Sequence, residues 1–278
     1  MKINIPSSQG GLNLKDSLDN MQPQYAIQMD NVIPDTNRDV LRNGYVRVSS
    51  TGVNSLIVHR EQGYNALFGA KDDKIYIVND STLTQIGSGF ATDEWQYCSF
   101  TDGGGNISTI LANGSAADNV QRIYVSGGTH TIASTYNNAT SLISPCSYKN
   151  RMYFAVKNSL SIKYADSQAI AGNLTEFNLS SIFKLGGRIV KIANWTQDAG
   201  LGMDDLLCIF TSEGEVAVYS GLSPEATDWN LQGIFRISKP IGINCTCPIG
   251  GDLVVITQGG YFPLSSVLSQ DRRPDRKS

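Results

Sequence analysis

Two histidines, five cysteines and a group of closely spaced carboxylates carry most of the chemistry this 278-residue chain has to offer. His59 lies in the apolar run Ser55-Leu-Ile-Val-His-Arg60, and His130 in the polar stretch Gly127-Gly-Thr-His-Thr131. With only these two, a His-based triad or a His-rich metal site has few ways to form. Asp198, Asp204 and Asp205 bracket the Gly-rich stretch Ala199-Gly-Leu-Gly-Met203. Three carboxylates so close could hold a hard cation through oxygen, although they lack the ordered spacing of an EF-hand loop. The competing reading has the loop satisfy its own backbone through Asx-turns. Cys245 and Cys247 form a C-x-C pair that an extended strand would present on one face, but a zinc site needs about four ligands. Together with Cys98, Cys146 and Cys208 they read as small apolar fillers. An odd cysteine count without a leading apolar segment argues against a disulfide framework. Asp102-Gly-Gly-Gly-Asn106 resembles a phosphate cradle, but it leads into the strand-like Ile107-Ser-Thr-Ile-Leu-Ala112 and not into a helix, so it reads as a turn. No nucleophile elbow, P-loop or sialidase-type box occurs. The expectation is a non-enzymatic chain with no cofactor and no assigned metal.

The elements that would position these residues are short strands. Charged residues make up 17% of the chain, hydrophobic ones 41%, and 27 are Gly, which suits an all-β protein better than a helical bundle. A formal net charge of −3 argues against a protein whose task is gripping nucleic acid. One element recurs: apolar strand, tight polar or Gly turn, apolar strand. It appears at Asn65–Ala70 with Ile75–Val78, Ile107–Ala112 with Arg122–Val125, and Arg151–Val156 with Leu160–Tyr164. It recurs at Leu206–Phe210 with Glu215–Tyr219, and at Asp252–Ile256 with Tyr261, Phe262 and Leu264. Taking Ala66, Ile107, Met152, Leu206 and Leu253 as markers, the spacings are 41, 45, 54 and 47 residues. A period in the forties fits the blades of a β-propeller. Runs such as Leu206-Leu-Cys-Ile-Phe210 are apolar at successive positions, as strands covered on both faces must be. Flanking strands are expected at Ser55–Arg60, Gln96–Phe100, Ile189–Trp195 and Ile234–Ile237. A β-sandwich of similar hairpins is the competing architecture.

Residues 1–50 read as an extended arm, with a short helix over about Gln22–Met29 and a strand near Tyr45–Val48. Residues 51–268 form the propeller-like domain, and 269–278 a charged, disordered tail. No run of apolar residues is long enough to span a bilayer as a helix. In the arm, Leu12, Leu18, Met21, Ile27 and Met29 with Arg38, Arg42 and Arg47 are the candidate interface; the alternative is that the apolar ones pack the arm onto the first blade. A glycan-binding propeller is a rival function, and it predicts Trp95, Trp195 and Trp229 exposed together on one loop face.

An ordered set of short segments spans residues 9–268. It opens with Gly10-Gly-Leu-Asn13, Asp16-Ser-Leu18, Met21, Ala26, Asp30-Asn31, Pro34 and Arg42-Asn-Gly-Tyr45. It continues through Phe100, Asn113-Gly114, Lys149-Asn-Arg-Met-Tyr-Phe154 and Phe183-Lys-Leu-Gly-Gly187. Then follow Trp195-Thr-Gln-Asp-Ala-Gly-Leu-Gly-Met-Asp-Asp-Leu206, Thr211-Ser-Glu-Gly-Glu-Val216, Val218-Tyr-Ser-Gly221 and Gly250-Gly-Asp-Leu253. In this the chain resembles the bacteriophage and prophage tail nozzle family, also described as tail-hub or packaged-DNA stabilisation proteins of short-tailed phages. The resemblance implies a β-propeller-like body in a homo-oligomeric, hexameric ring below the portal and its adaptor. Such a ring makes the head–tail connection, continues the DNA channel with passive DNA contact only, and helps retain packaged DNA. It also implies a virion protein assembled in the bacterial cytoplasm, with other tail and portal-adaptor proteins as partners and no membrane. Members of that family continue beyond the segment matched by Tyr261-Phe-Pro-Leu264. The expectation is therefore a C-terminally truncated member, which could be a monomer with an exposed sheet edge.

Overall fold

A computed structural model describes residues 8–35, 38–45, 47, 52–79, 82–198 and 203–270, the side chains of 197, 198, 203, 204 and 268–270 excepted. Of the tail expected at 269–278, residues 271–278 lie outside these, while Ser269 and Gln270 end a helix. The chain divides into two compact units, residues 1–48 and 49–278.

In the first unit, β1 (Gly11–Leu12) pairs in parallel with β2 (Tyr25–Ala26), and β3 (Val32–Asp35) pairs antiparallel with β4 (Arg38–Leu41). The helix expected over Gln22–Met29 is not formed. Its backbone is spent elsewhere: the Tyr25 N–H closes a turn on the Gln22 carbonyl, and the Gln24 carbonyl accepts from Gly10 N–H. The expected strand near Tyr45–Val48 falls partly outside the described residues, and Tyr45 itself is in irregular backbone. Among the described residues the arm contributes none of the buried hydrophobic side chains.

The second unit is a series of antiparallel meanders in chain order. The first sheet is β5 (Ser55–His59), β6 (Ala66–Lys71), β7 (Lys74–Asn79) and β8 (Thr82–Ser88). The second is β9 (Gln96–Thr101), β10 (Ile107–Ala112), β11 (Gln121–Ser126) and β12 (Thr129–Ser134). The third is β13 (Leu142–Tyr148), β14 (Arg151–Val156), β15 (Ser161–Tyr164) and β16 (Thr175–Asn178). The fourth is β17 (Ile189–Asp198), β18 (Met203–Thr211), β19 (Glu215–Ser220) and β20 (Asn230–Arg236). The last has three strands, β21 (Thr246–Ile249), β22 (Asp252–Thr257) and β23 (Gly260–Pro263), followed by helix α1 (Leu264–Gln270). All five expected hairpins are present. The first strands of successive blades lie side by side, β5 by β9, β9 by β13, β13 by β17 and β17 by β21, so they form the innermost layer.

Several turns follow directly from residue type. The two-residue connections Gly127-Gly128 and Gly250-Gly251 have both residues at positive φ, the type I′ geometry that matches the twist of a hairpin. Lys149-Asn150 adopts the same geometry, with Lys149 at φ 45°. At Asp102–Asn106 the expected turn is closed by the Asp102 carboxylate, which accepts the Gly104 and Asn106 N–H groups at 2.9 Å each. These bonds, with that from the Asn106 side chain, hold the Asp102 carboxyl below its ordinary range.

Blade stacking explains the unbroken apolar runs. In β18, Leu207 and Ile209 face the third blade, while Cys208 and Phe210 face the fifth. In β14, Met152 and Phe154 face the second blade, and Tyr153 and Ala155 the fourth. The four hydrophobic clusters of the body correspond to the four interfaces between consecutive blades. Helix α1 is anchored at its start by Asp252, which accepts from the backbone and hydroxyl of Ser265. It adds the fully buried Leu264 to the interface between the fourth and fifth blades.

Candidate interaction surfaces

Polar bridges hold the innermost strands in register. β13 carries a bulge between Ile143 and Cys146, where Ser144 sits at φ 52°. The bulge aims the buried Ser144 at both neighbouring blades. Its N–H donates to Gln96 Oε1 at 3.0 Å, and its hydroxyl accepts from Ile192 N–H at 2.8 Å and donates to the Ile192 carbonyl at 3.3 Å. Blades three and four are further joined by aromatic groups. The Tyr148 hydroxyl lies 2.8 Å from the Gly221 carbonyl and 3.1 Å from that of Asp205, and the Tyr164 hydroxyl donates to Glu225 at 2.9 Å. Tyr219 stacks on Trp229 with ring centroids 4.8 Å apart. Burial pushes the phenols of Tyr148, Tyr153 and Tyr164 upward.

The two histidines, distant in sequence, meet between blades one and two with ring centroids 5.5 Å apart. His59 is fully buried, with Thr109 Oγ1 2.9 Å from Nδ1 and Glu61 Oε2 3.3 Å from Nε2. Burial lowers its pKa, partly opposed by Glu61. His130 donates to the Tyr64 carbonyl at 2.9 Å. Non-local pairing brings them together, and no local motif marks it.

Of the carboxylates at the Gly-rich loop, the side chains of Asp198 and Asp204 lie outside the described residues. The Asp205 carboxylate accepts from Thr196 Oγ1 at 2.7 Å and sits 3.9 Å from Lys149 Nζ. Among the described residues no group of three His, Cys, Asp or Glu side chains is placed to hold a metal. The C-x-C pair is split, with Cys245 buried and Cys247 exposed; all five cysteines are free thiols. Cys98 and Cys146 lie in β9 and β13, and Cys245 directly precedes β21. Burial raises all three thiols, and Lys191 opposes it.

Trp95, Trp195 and Trp229 do not come together as the exposed platform expected of a glycan site. Trp95 is buried between blades one and two, Trp195 between four and five, and Trp229 packs against the cluster between three and four. Their large apolar area is spent on blade stacking.

Three surfaces remain open. The first is the arm. Leu12, Leu18 and Ile27 are exposed as an interface would require, while Met21 and Met29 are half-buried. Arg38 pairs with Asp35 at 3.3 Å, Arg42 reaches Asn31 and lies over the Tyr45 ring, and Arg47 is exposed. Leu14, Leu41 and Tyr45, each at least 75% exposed, belong with this set although the sequence reading omitted them.

The second surface is the pair of end faces of the blade series. Blade one turns Ile57 and Phe68 toward blade two; its other face carries Leu56 and Leu67, both exposed, with Val58 and Val78 half-buried. Blade five turns Leu253 and Val255 toward blade four, and its other face carries the exposed Ile249 and Tyr261 with Val254 and Ile256 half-buried. No core cluster among the described residues joins blade five to blade one.

The third is a cavity of about 210 Å³ at the end of the innermost layer where β9, β13 and β17 begin. Of its aliphatic lining residues, Ile243 is exposed while Ile143, Ile189 and Val190 are buried in the blade interfaces, and its charged lining residues are Glu94, Lys157 and Arg188.

No protein-family model matches the chain, and no curated protein matches it. Solved structures do. The crystal structure of BBS1N in complex with ARL6DN superposes with a TM-score of 0.50 at 14% identity, over 81% of this chain and 68% of that one. The body is a β-propeller. The WD40 domain of SCAP from fission yeast matches at a TM-score of 0.41 and 15% identity, over 73% of this chain and 48% of that one. A chain of the mitotic checkpoint complex matches at 0.41 and 13%, over 73% and 58%. At these identities the likeness concerns the fold.

Proposed function

We propose that this chain is a non-enzymatic structural protein of a bacteriophage or prophage tail, a nozzle or hub component that works by protein–protein assembly. In this reading its neighbours are copies of itself in a ring and other tail or portal-adaptor proteins. The ring continues the DNA channel and helps retain the packaged genome. One observation carries the assembly part of the proposal: both end faces of the blade series carry exposed apolar side chains, and among the described residues no neighbouring blade covers them, where every interior face is sealed by a neighbouring blade. Such faces mark contact sites. The exposed leucines of the arm add a second contact surface, and the ordered segment resemblance over residues 9–268 supports the phage assignment. The mild net negative charge suits a channel wall along which DNA must slide.

The decisive experiment is quantitative mass spectrometry of particles purified from an induced host carrying the gene. Presence at a copy number matching other tail-ring components is expected. Particles that contain the other tail proteins but lack this one would overturn the assignment.

A further inference from the structure

The cavity at the inner end of the blades differs electrically from the rest of this acidic molecule. Lys157, from the turn after β14, and Arg188, just before β17, line it from adjacent blades, and neither has a carboxylate at ion-pair distance among the described residues. Glu94 is the one acid in the lining. Arg188 also senses Glu213, but that carboxylate is already paired with Lys239. The Gln96 carbonyl oxygen in the wall is taken by the Ser144 N–H.

We infer that this cavity binds an acidic peptide segment, with a carboxylate taken by Lys157 and Arg188 and an adjacent aliphatic side chain against the exposed Ile243. The volume falls below the several hundred Å³ of drug-sized and cofactor sites, so it suits one or two residues of an extended chain. The lining contains no aromatic ring on which a base could stack, and this separates the site from a single-stranded nucleic-acid groove. The inference does not depend on the phage assignment; it needs only the propeller and its lining residues.

Anisotropy titration of the 278-residue chain with a fluorescein-labelled octapeptide of alternating Glu and Leu tests it. The wild type is expected to bind this probe at least tenfold more tightly than the matching Gln–Leu peptide. Binding should weaken roughly tenfold in the double variant Lys157→Ala, Arg188→Ala, and tighten roughly threefold in Glu94→Gln, as expected for one to two partly exposed charge contacts. Lys184→Ala, an exposed lysine away from the lining, should leave affinity unchanged. All these side chains are exposed, and thermal melts confirm that the variants stay folded. Equal binding of the Gln–Leu peptide, no loss in the double variant, or an equal loss in Lys184→Ala would overturn the inference. So would displacement of the peptide by a labelled oligothymidylate at lower concentration, which would make the cavity a phosphate site.

Discussion

Replacing Ser144 by Ala removes one hydroxyl of nearly unchanged volume from a fully buried position. The hydroxyl answers both the N–H and the carbonyl of Ile192, at 2.8 and 3.3 Å. A buried donor left without a partner costs about 1–3 kcal/mol, and loss of the longer bond about 0.5–1.5 kcal/mol more. Ser144→Ala should therefore lose about 1.5–4.5 kcal/mol. For a body of this size that corresponds to a melting temperature lower by roughly 3–18 °C. Urea denaturation followed by circular dichroism and tryptophan fluorescence measures it, with an unchanged m-value as the sign that the native state is otherwise intact. Ser144→Gly makes a useful companion. It loses the same hydroxyl but tolerates φ 52° without strain, so it should fall between wild type and Ser144→Ala. A Ser144→Ala loss below about 0.5 kcal/mol, less than one ordinary net hydrogen bond, would show that the bridge does not fix the stacking of blades three and four.

Four further outcomes are expected. Glu215 is buried, and its carboxylate accepts the N–H groups of Lys184 and Leu185 at 3.1 and 2.8 Å, so Glu215→Ala should cost about 2–4 kcal/mol in the same assay. His59, whose pKa lies below its unfolded value of 6.5, binds its proton more readily when unfolded. Stability should then decline as pH falls below about 6.5, and His59→Asn should flatten that part of the pH–stability curve. Lys149 occupies the left-handed region at φ 45° in a type I′ turn, so Lys149→Gly should raise stability by about 0.5–1 kcal/mol despite the loss of its 3.9 Å contact with Asp205. Finally, Leu56→Glu or Tyr261→Glu should leave the melting temperature within about 2 °C of wild type, since both side chains are exposed, and should lower binding of a hydrophobic dye.

The sequence made the inner part of each blade legible and the periphery much less so. Strands such as β10, β14 and β18 are covered on both faces, and they advertise this by apolar residues at successive positions, as in Ile110–Ala112, Met152–Val156 and Leu206–Phe210. The outer strands β8 and β12 are half-exposed and lean on Thr, Ser and single aliphatics, and β16 is the largely exposed Thr-Glu-Phe-Asn, patterns that connecting loops share. β13 was hidden for another reason. Pro145 lies within it, and proline argues against a paired strand, but here it sits in the bulge where no ladder hydrogen bond is required of it. The helix expected around Gln22 failed because the backbone there is committed to a turn and to the parallel pair of β1 and β2, partners that propensity does not register. At the surfaces, residue type was a guide where burial was not decided by distant chain. The arm leucines are exposed as read, whereas the three tryptophans, equally plausible as a binding platform, are consumed by blade stacking. The cavity with Lys157 and Arg188 gathers residues from four blades and has no linear signature.

The end faces have a consequence for how such a molecule could change over evolutionary time. Each blade presents one face of each kind, and the series ends with one of each unpaired. Insertion of a duplicated unit of some 41–54 residues consumes one face of each kind and supplies another pair, so the two ends stay chemically what they were. Lengthening by gene duplication therefore requires no new complementary surface. The step that does demand new side chains is sealing the series, because it alone must replace two apolar ends by a matched fit or by a polar boundary.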